Sequence, residues 1–307
     1  MLKKSTNYIN LISFLILIYL AFIPLGPSDT KIYSVVGKQF SIEKAFSHVR
    51  ALSQSPHYVG ASFHPRAQYY IVKQLQKLGL EVKIQKTSVT NNNKTFTTVE
   101  NIIAKIAGSD PNGKALLLMS HYDSVAYASL GASDAAAGVA VILEGLRSYL
   151  KDNKKPKNDI IILISDAEEI GLLGAKAFVN KHHWAQNIGA VLNFEARGTS
   201  GSSYMLMETN HGNHNLLKTF MQTPLAYPTS NSLAYSIYKL LPNDTDLSVF
   251  RIDKDIIGFN FAFIDNHFNY HTALDSPQNL SLDSLAHQAH YLLPLLDKLS
   301  QMDLTNL

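Results

Sequence analysis

Three stretches, KALLLMS (114–120), DIIILIS (159–165) and IGAVLNF (188–194), are apolar through their middles, with none of the alternation of a half-exposed strand. Strands buried on both faces read this way, and such strands belong to parallel sheets covered by helices on each side. Segments with helical spacing separate them: ASDAAAGVAVILEGLRSYL (132–150) and GLLGAKAFVNKH (171–182). SYMLMET (203–209) and GFNFAFI (258–264) add two more strands, and 284–302 closes the chain as a helix. Upstream, 41–54 has helical spacing. In HPRAQYYIVKQLQKLGLEV, Ala67, Ile71, Leu75 and Leu78 recur on one helix face before Gly79. LEVKIQKTSV (80–89) alternates like a strand, NNNK (91–94) is a turn, and ENIIAKIAG (100–108) is a second strand. The expected fold is α/β, a mixed, largely parallel central sheet sandwiched by helices. Residues 210–245 carry two short helical patterns among loops and read as an insertion over one end of the sheet.

The N-terminus differs. Lys3 and Lys4 precede LISFLILIYLAFIPLG, which has no charge. A positive segment before an apolar run marks residues 1–27 as a signal anchor or a signal peptide. The run is short against the roughly twenty apolar residues of a full span, and Gly26-Pro27-Ser28 is a poor cleavage site. Either reading places the body, 41–307 after a linker at 28–40, outside the cytoplasm with the lysines left inside. The expected location is therefore membrane-anchored, or secreted after cleavage.

Ligands in open α/β sheets gather at the carboxyl ends of the strands. After KALLLMS come His121, Tyr122 and Asp123, and Asp134 lies in the loop before the next helix. After DIIILIS come Asp166, Glu168 and Glu169; after IGAVLNF comes Glu195; after GFNFAFI, by way of a loop, comes His271. Each alone has an ordinary explanation. A glutamate pair at a helix start usually faces solvent, favoured by the helix dipole. Their convergence on one edge is what those explanations do not cover.

The chain has no cysteine, so any metal must be held by histidine and carboxylate. Two histidines and three carboxylates suit two divalent ions roughly 3.5–4 Å apart. Asp134 would bridge them; His121 and Glu195 would complete one ion, Glu169 and His271 the other. Glu168 is left over as general base. Asp123 would orient His121 through its other ring nitrogen, and Asp275 would do similar work near His271. His267, two histidines in NHGNH (210–214) and two in HHW (182–184) read as loop or helix-end residues. No G-x-S-x-G follows a strand, so serine-hydrolase chemistry lacks support. The net charge of +3 is spread out, and no basic stripe with interleaved aromatics marks a nucleic-acid partner.

These segments resemble the di-zinc aminopeptidase family, peptidase family M28. The likeness is strongest to its membrane-anchored branch of vacuolar membrane proteases and endoplasmic-reticulum metallopeptidases. It runs over about residues 41–300, through SPHYVG (55–60), HYDSV (121–125), GASDAAAGVA (131–140), DAEEIGLLGAKAF (166–178), NFEARG (193–198), PNDTDLSVF (242–250) and YHTALDSP (270–277). The resemblance implies a zinc-dependent exopeptidase fold. It implies metal ligands His121, Asp134, Glu169, Glu195 and His271, with Glu168 as base. Ala135 stands where many relatives have a second acidic residue or asparagine. Two Zn²⁺ are expected, and such donors also accept Co²⁺ or Mn²⁺.

The expected reaction is removal of single residues from free peptide N-termini, the substrate ammonium being held among the carboxylates. Tyr227, Tyr235 and Tyr238 of the insertion would wall the pocket for the first side chain. Three alternatives remain open. One is glutaminyl cyclase, a single-zinc acyltransferase; another is a carboxypeptidase or dipeptidase that uses Arg197 against a substrate carboxylate. The last is a catalytically silent ectodomain.

Overall fold

The computed structural model of the chain describes residues 2–22, 40–90, 95–126, 128–152, 154–240, 244–305 and 307. The expected linker, Phe40 apart, and the turn at 91–94 lie outside these residues. Helix α1 spans Leu2–Phe22. From Tyr8 to Leu20 its side chains are exposed around the helix, and all but Asn10 and Ser13 are apolar. Among the described residues, no helix is long and apolar enough to cross a membrane.

The body is built on seven strands: β1 (Val82–Thr90), β2 (Phe96–Ile106), β3 (Ala115–His121), β4 (Ile160–Ser165), β5 (Ile188–Ala196), β6 (Ser200–Glu208) and β7 (Ile257–Asp265). They are ordered β1-β2-β4-β3-β5-β7-β6. The four central strands run parallel, and β1, β2 and β6 add antiparallel edges. Every residue of β3 and β4 is buried, as their unbroken apolar runs require.

The strand period of two sorts the core. Leu116, Leu118, Ile162, Leu192 and Phe194 face α2 (Ile42–Leu52), α3 (His64–Lys77), α4 (Gly138–Lys151) and α9 (Leu282–Leu299). Leu117, Met119, Leu163 and Val191 face α5 (Leu173–Lys181) and α8 (Asp246–Lys254). Ser41 and Ser281 cap α2 and α9 with their hydroxyls. Gly138 lets α4 sit directly on the sheet: a Cβ there would lie 2.4 Å from the Phe194 carbonyl oxygen.

Of the stretch read from sequence as an insertion, residues 210–240 carry α6 (His214–Met221) and α7 (Ser232–Leu240), the latter beside edge strand β6. The connecting segment covers part of that edge. Met205 N–H donates to the Thr229 carbonyl at 2.9 Å, and the Ser230 hydroxyl to the Met205 carbonyl at 2.9 Å. His287 of α9 ties this region down: its Nδ1 accepts from Ser203 N–H at 3.0 Å, and its Nε2 donates to the Tyr227 carbonyl at 2.8 Å.

Burial lowers the His287 pKa to about 4 from 6.5. The unfolded chain therefore takes up a proton at higher pH than the fold does. The contribution is complete above pH 6.5 and is lost as pH falls from 6.5 towards 4. Between pH 7 and pH 5, His287 is expected to account for a loss of about 2 kcal/mol. Urea unfolding of wild type and His287→Gln at both pH values tests this: the variant should lose less stability, and equal losses would remove His287 as the cause.

Candidate metal centre

The register aligns the strand ends: His121 pairs with Ser165 across β3 and β4, and Glu195 with Ala262 across β5 and β7. Loops leaving these ends bring the residues singled out in the sequence together. Asp134 lies where the backbone is non-helical, φ −112° and ψ 94°, just ahead of α4, and this turns its carboxylate away from the helix axis. One Asp134 oxygen lies 3.1 Å from His121 Nε2, the other 3.1 Å from His271 Nε2. Glu195 approaches His121 Nε2 at 3.5 Å, and Glu169 approaches His271 Nε2 at 3.1 Å. Among the described residues, two groups have ligand atoms close enough to hold an ion: His121, Asp134 and Glu195, and Asp134, Glu169 and His271.

Glu168 and Glu169 sit in a tight turn between β4 and α5, bracketed by Ala167 and Leu172 with φ of 57° and 59°. Non-glycine residues in this region are held there by their surroundings. The Asp123 carboxylate supplies that hold: it accepts from the N–H groups of Glu168 and Glu169 at 3.0 and 3.2 Å. The nearest partner of His121 Nδ1 is instead the Asp123 backbone carbonyl, at 2.9 Å, against 3.6 Å for the carboxylate. Asp123 therefore serves both elements, its carbonyl fixing the histidine and its carboxylate the glutamate turn. Asp275 likewise accepts from the amides of Ser133 and Asp134, at 2.7 and 3.2 Å, and steadies the Asp134 loop rather than His271.

Electrostatics argue for cations. The carboxyls of Asp123, Asp134, Glu168, Glu169, Glu195, Asp246 and Asp275 crowd around two histidines and one arginine. Burial, then the charges of Glu195, Asp246 and Glu169, push Glu168 well above the carboxyl range. Burial and Asp134 push Glu169 up to about 8. Burial opposes protonation of His121 and His271, yet neighbouring carboxylates overcome it. They hold His121 well above the imidazole range and His271 at about 10. Asp134 is held well below the carboxylate range, its hydrogen bonds to the two histidines outweighing burial. The cluster thus stores protons where divalent ions would replace them. Glu169 Oε1 is buried without a hydrogen-bond partner, as a ligand oxygen awaiting a cation would be. The donor set, all imidazole nitrogen and carboxylate oxygen, suits zinc and its borderline neighbours.

Several neighbours were not singled out from sequence. Asp246, at the start of α8, accepts a short hydrogen bond from the Ser165 hydroxyl, and burial raises its pKa to about 7. It stands in PNDTDLSVF, one of the segments that carry the family resemblance, but nothing in that segment's sequence assigned Asp246 a role. The Tyr270 ring stacks on His271 with centroids 3.7 Å apart. His64 pairs with Asp166 at 2.9 Å and stacks on Tyr122.

Arg197 is half-buried, with Tyr270, Glu195, Asp134 and Tyr238 as its charged or ionisable neighbours. The insertion tyrosines separate. Tyr238 is buried and bonds Glu208; Tyr235 lines a different cavity with Met205, Leu217 and Phe220; Tyr227 packs edge-on to His290. Of the three, Tyr238 is the one on which the Arg197 charge acts. The other histidines stay outside the cluster. His182 stacks on Phe178, His211 pairs with Asp255, and His267 lies tilted against Phe268.

Known proteins resemble the chain both in sequence and in fold. The chain is 31% identical to a vacuolar membrane protease of Schizosaccharomyces japonicus over 80% of its own length and 30% of that protein's. It is 30% identical to endoplasmic reticulum metallopeptidase 1 of Mus musculus over 68% of its length and 23% of that protein's. The chain thus spans less than a third of these relatives. Among solved structures, a Porphyromonas gingivalis glutaminyl cyclase superposes with a TM-score of 0.68 at 23% identity, covering 85% of this chain and 99% of that one. A Zn-dependent exopeptidase from Parabacteroides distasonis superposes with a TM-score of 0.66 at 19% identity, covering 84% and 98%. At such identities these two likenesses speak to the fold, α/β with a mixed sheet flanked by helices. The profile of peptidase family M28 matches residues 101–296, and the chain belongs to that family.

Proposed function

We propose that the chain is a two-metal exopeptidase that removes residues from free peptide N-termini. The observation that carries the reading is Asp134, each of whose oxygens faces the Nε2 of a different histidine at 3.1 Å. One ion would be held by His121, Asp134 and Glu195, the other by Asp134, Glu169 and His271. Zinc is the expected metal, with cobalt or manganese as substitutes. Two such ions supply Lewis-acid polarisation of a carbonyl and acidification of water.

The chain's residues do the rest. Glu168 takes a proton from the attacking water and delivers it to the departing amine. A carboxylate placed there serves as base in the first half of that transfer and as acid in the second. Asp123 keeps Glu168 on the substrate side by holding its amide. The surplus carboxylates favour the substrate's α-ammonium, and Arg197 with Tyr238 borders the space for the rest of the substrate.

The test is one peptide in free, N-acetylated, C-amidated and doubly blocked forms, with a matched peptide bearing N-terminal glutamine, each with and without chelator. Cleavage should require the free amine, tolerate amidation and stop with chelator. Cleavage that survives acetylation but fails on amidation would turn the site into a carboxypeptidase. Ring closure of the glutamine peptide without hydrolysis would make it a cyclase.

We further propose that α1 associates the chain with a membrane, the body facing away from the cytoplasm. Lys3 and Lys4 before the apolar run support this, as do the names of the membrane-protease relatives. Alkaline carbonate should leave the chain in the pellet; full release with a new N-terminus near Asp29 would show a cleaved signal instead.

A further inference from the structure

Helix α7 has two apolar faces where its place beside β6 needs one. Its inner face is occupied: Tyr238 reaches Glu208, and Tyr235 lines the cavity with Met205, Leu217 and Phe220. On the opposite face Leu233, Ile237 and Leu240 recur at i, i+4 and i+7 and are 69%, 48% and 85% exposed. Met221, at the end of α6, is also exposed. Residues 209–243 contain no acidic residue, although the chain carries 24, and they include Lys218 and Lys239. Lys218 is exposed; Lys239 leans on Glu208 at 3.4 Å.

Apolar side chains on one helix face, in a segment that carries lysines and no acidic residue, suit the surface of a bilayer. A second copy of the chain fits less well: three side chains fall far short of the roughly 800 Å² per partner that a stable interface buries. The chain also carries a separate apolar helix, α1, exposed around its circumference, and stable attachment commonly takes two weak membrane signals.

We propose that the outer face of α7 is a membrane-surface contact, with Leu233, Ile237 and Leu240 entering the interface. The inward side chain of α7, Tyr238, lies close enough to Arg197 for the guanidinium charge to act on it. The contact therefore places the rim of the metal centre near the bilayer, where the substrates within reach are peptides whose N-termini lie close to it. The proposal rests on the membrane association assigned above to α1, and its test separates the two.

Because the chain has no cysteine, Ile237→Cys gives a unique attachment point for an environment-sensitive fluorophore. Tyr69→Cys, on an exposed position of α3, is the control. The full chain is mixed with vesicles of phosphatidylcholine and phosphatidylserine, with or without quenchers on the acyl chains, and flotation is read alongside. At position 237 the emission should shift to shorter wavelength and the acyl quenchers should extinguish it, with neither effect at 69. Leu233→Ser with Leu240→Ser should abolish both effects while flotation persists. A chain that floats with its probe in a water-like environment would overturn the α7 contact and leave α1 intact. One that neither floats nor shifts would overturn both. A concentration-dependent shift immune to acyl quenchers would assign the face to a second copy and overturn the proposal.

Discussion

Glu168→Gln is expected to lower turnover by about 10²–10⁴-fold, the range over which a positioned general base contributes, while metal content stays at the wild-type level. The backbone amide of residue 168 still donates to Asp123, so the turn keeps its shape. Neither group of ligand atoms includes Glu168. The substitution thus removes the acceptor for the proton and little else. Rate and metal content by elemental analysis belong in one experiment. Near wild-type turnover would remove Glu168 from its role, and loss of metal would recast it as a ligand.

Asp134→Asn is expected to weaken both ions together. Each of its oxygens serves one histidine-containing group, and the amide replaces one oxygen with a donor that cannot ligate. The loss should exceed the roughly 10–100-fold typical for residues that act from outside the ligand shell. His271→Ala and Glu195→Ala are the internal controls. Each belongs to one group only, so each should release one ion preferentially. Metal titration by calorimetry on chelator-stripped protein reads the difference, and an Asp134→Asn protein that binds like wild type would contradict the bridge.

What the sequence conveyed and what it withheld divide along a physical line. The unbroken apolar runs at 114–120, 159–165 and 188–194 could only be strands covered on both faces. Once they were parallel, their carboxyl ends had to share an edge, which gathered His121, Glu168, Glu169 and Glu195 without any distance being known. SYMLMET was legible as a strand too, but its run of apolar residues gave no sign that β6 lies at the edge of the sheet. Residues whose roles depend on backbone partners were harder to read. Asp123 and Asp275 look in sequence like partners for their neighbouring histidines, yet their carboxylates hold amides of the glutamate turn and of the Asp134 loop. Asp246 comes from α8, far along the chain, and only packing brings it to Ser165. The insertion tyrosines share one composition, but helix phase sends Tyr238 inward and leaves Tyr235 at another cavity. A sequence fixes the period of a helix more readily than the side from which it docks.

The central claim is that the residues around Asp134 form one site for two ions. Its most direct test is stepwise return of zinc to chelator-stripped protein, with bound metal and peptide hydrolysis read in the same samples. The claim predicts uptake that saturates at two ions per chain, with His271→Ala saturating at one. Saturation of the wild-type chain at a single ion would contradict it.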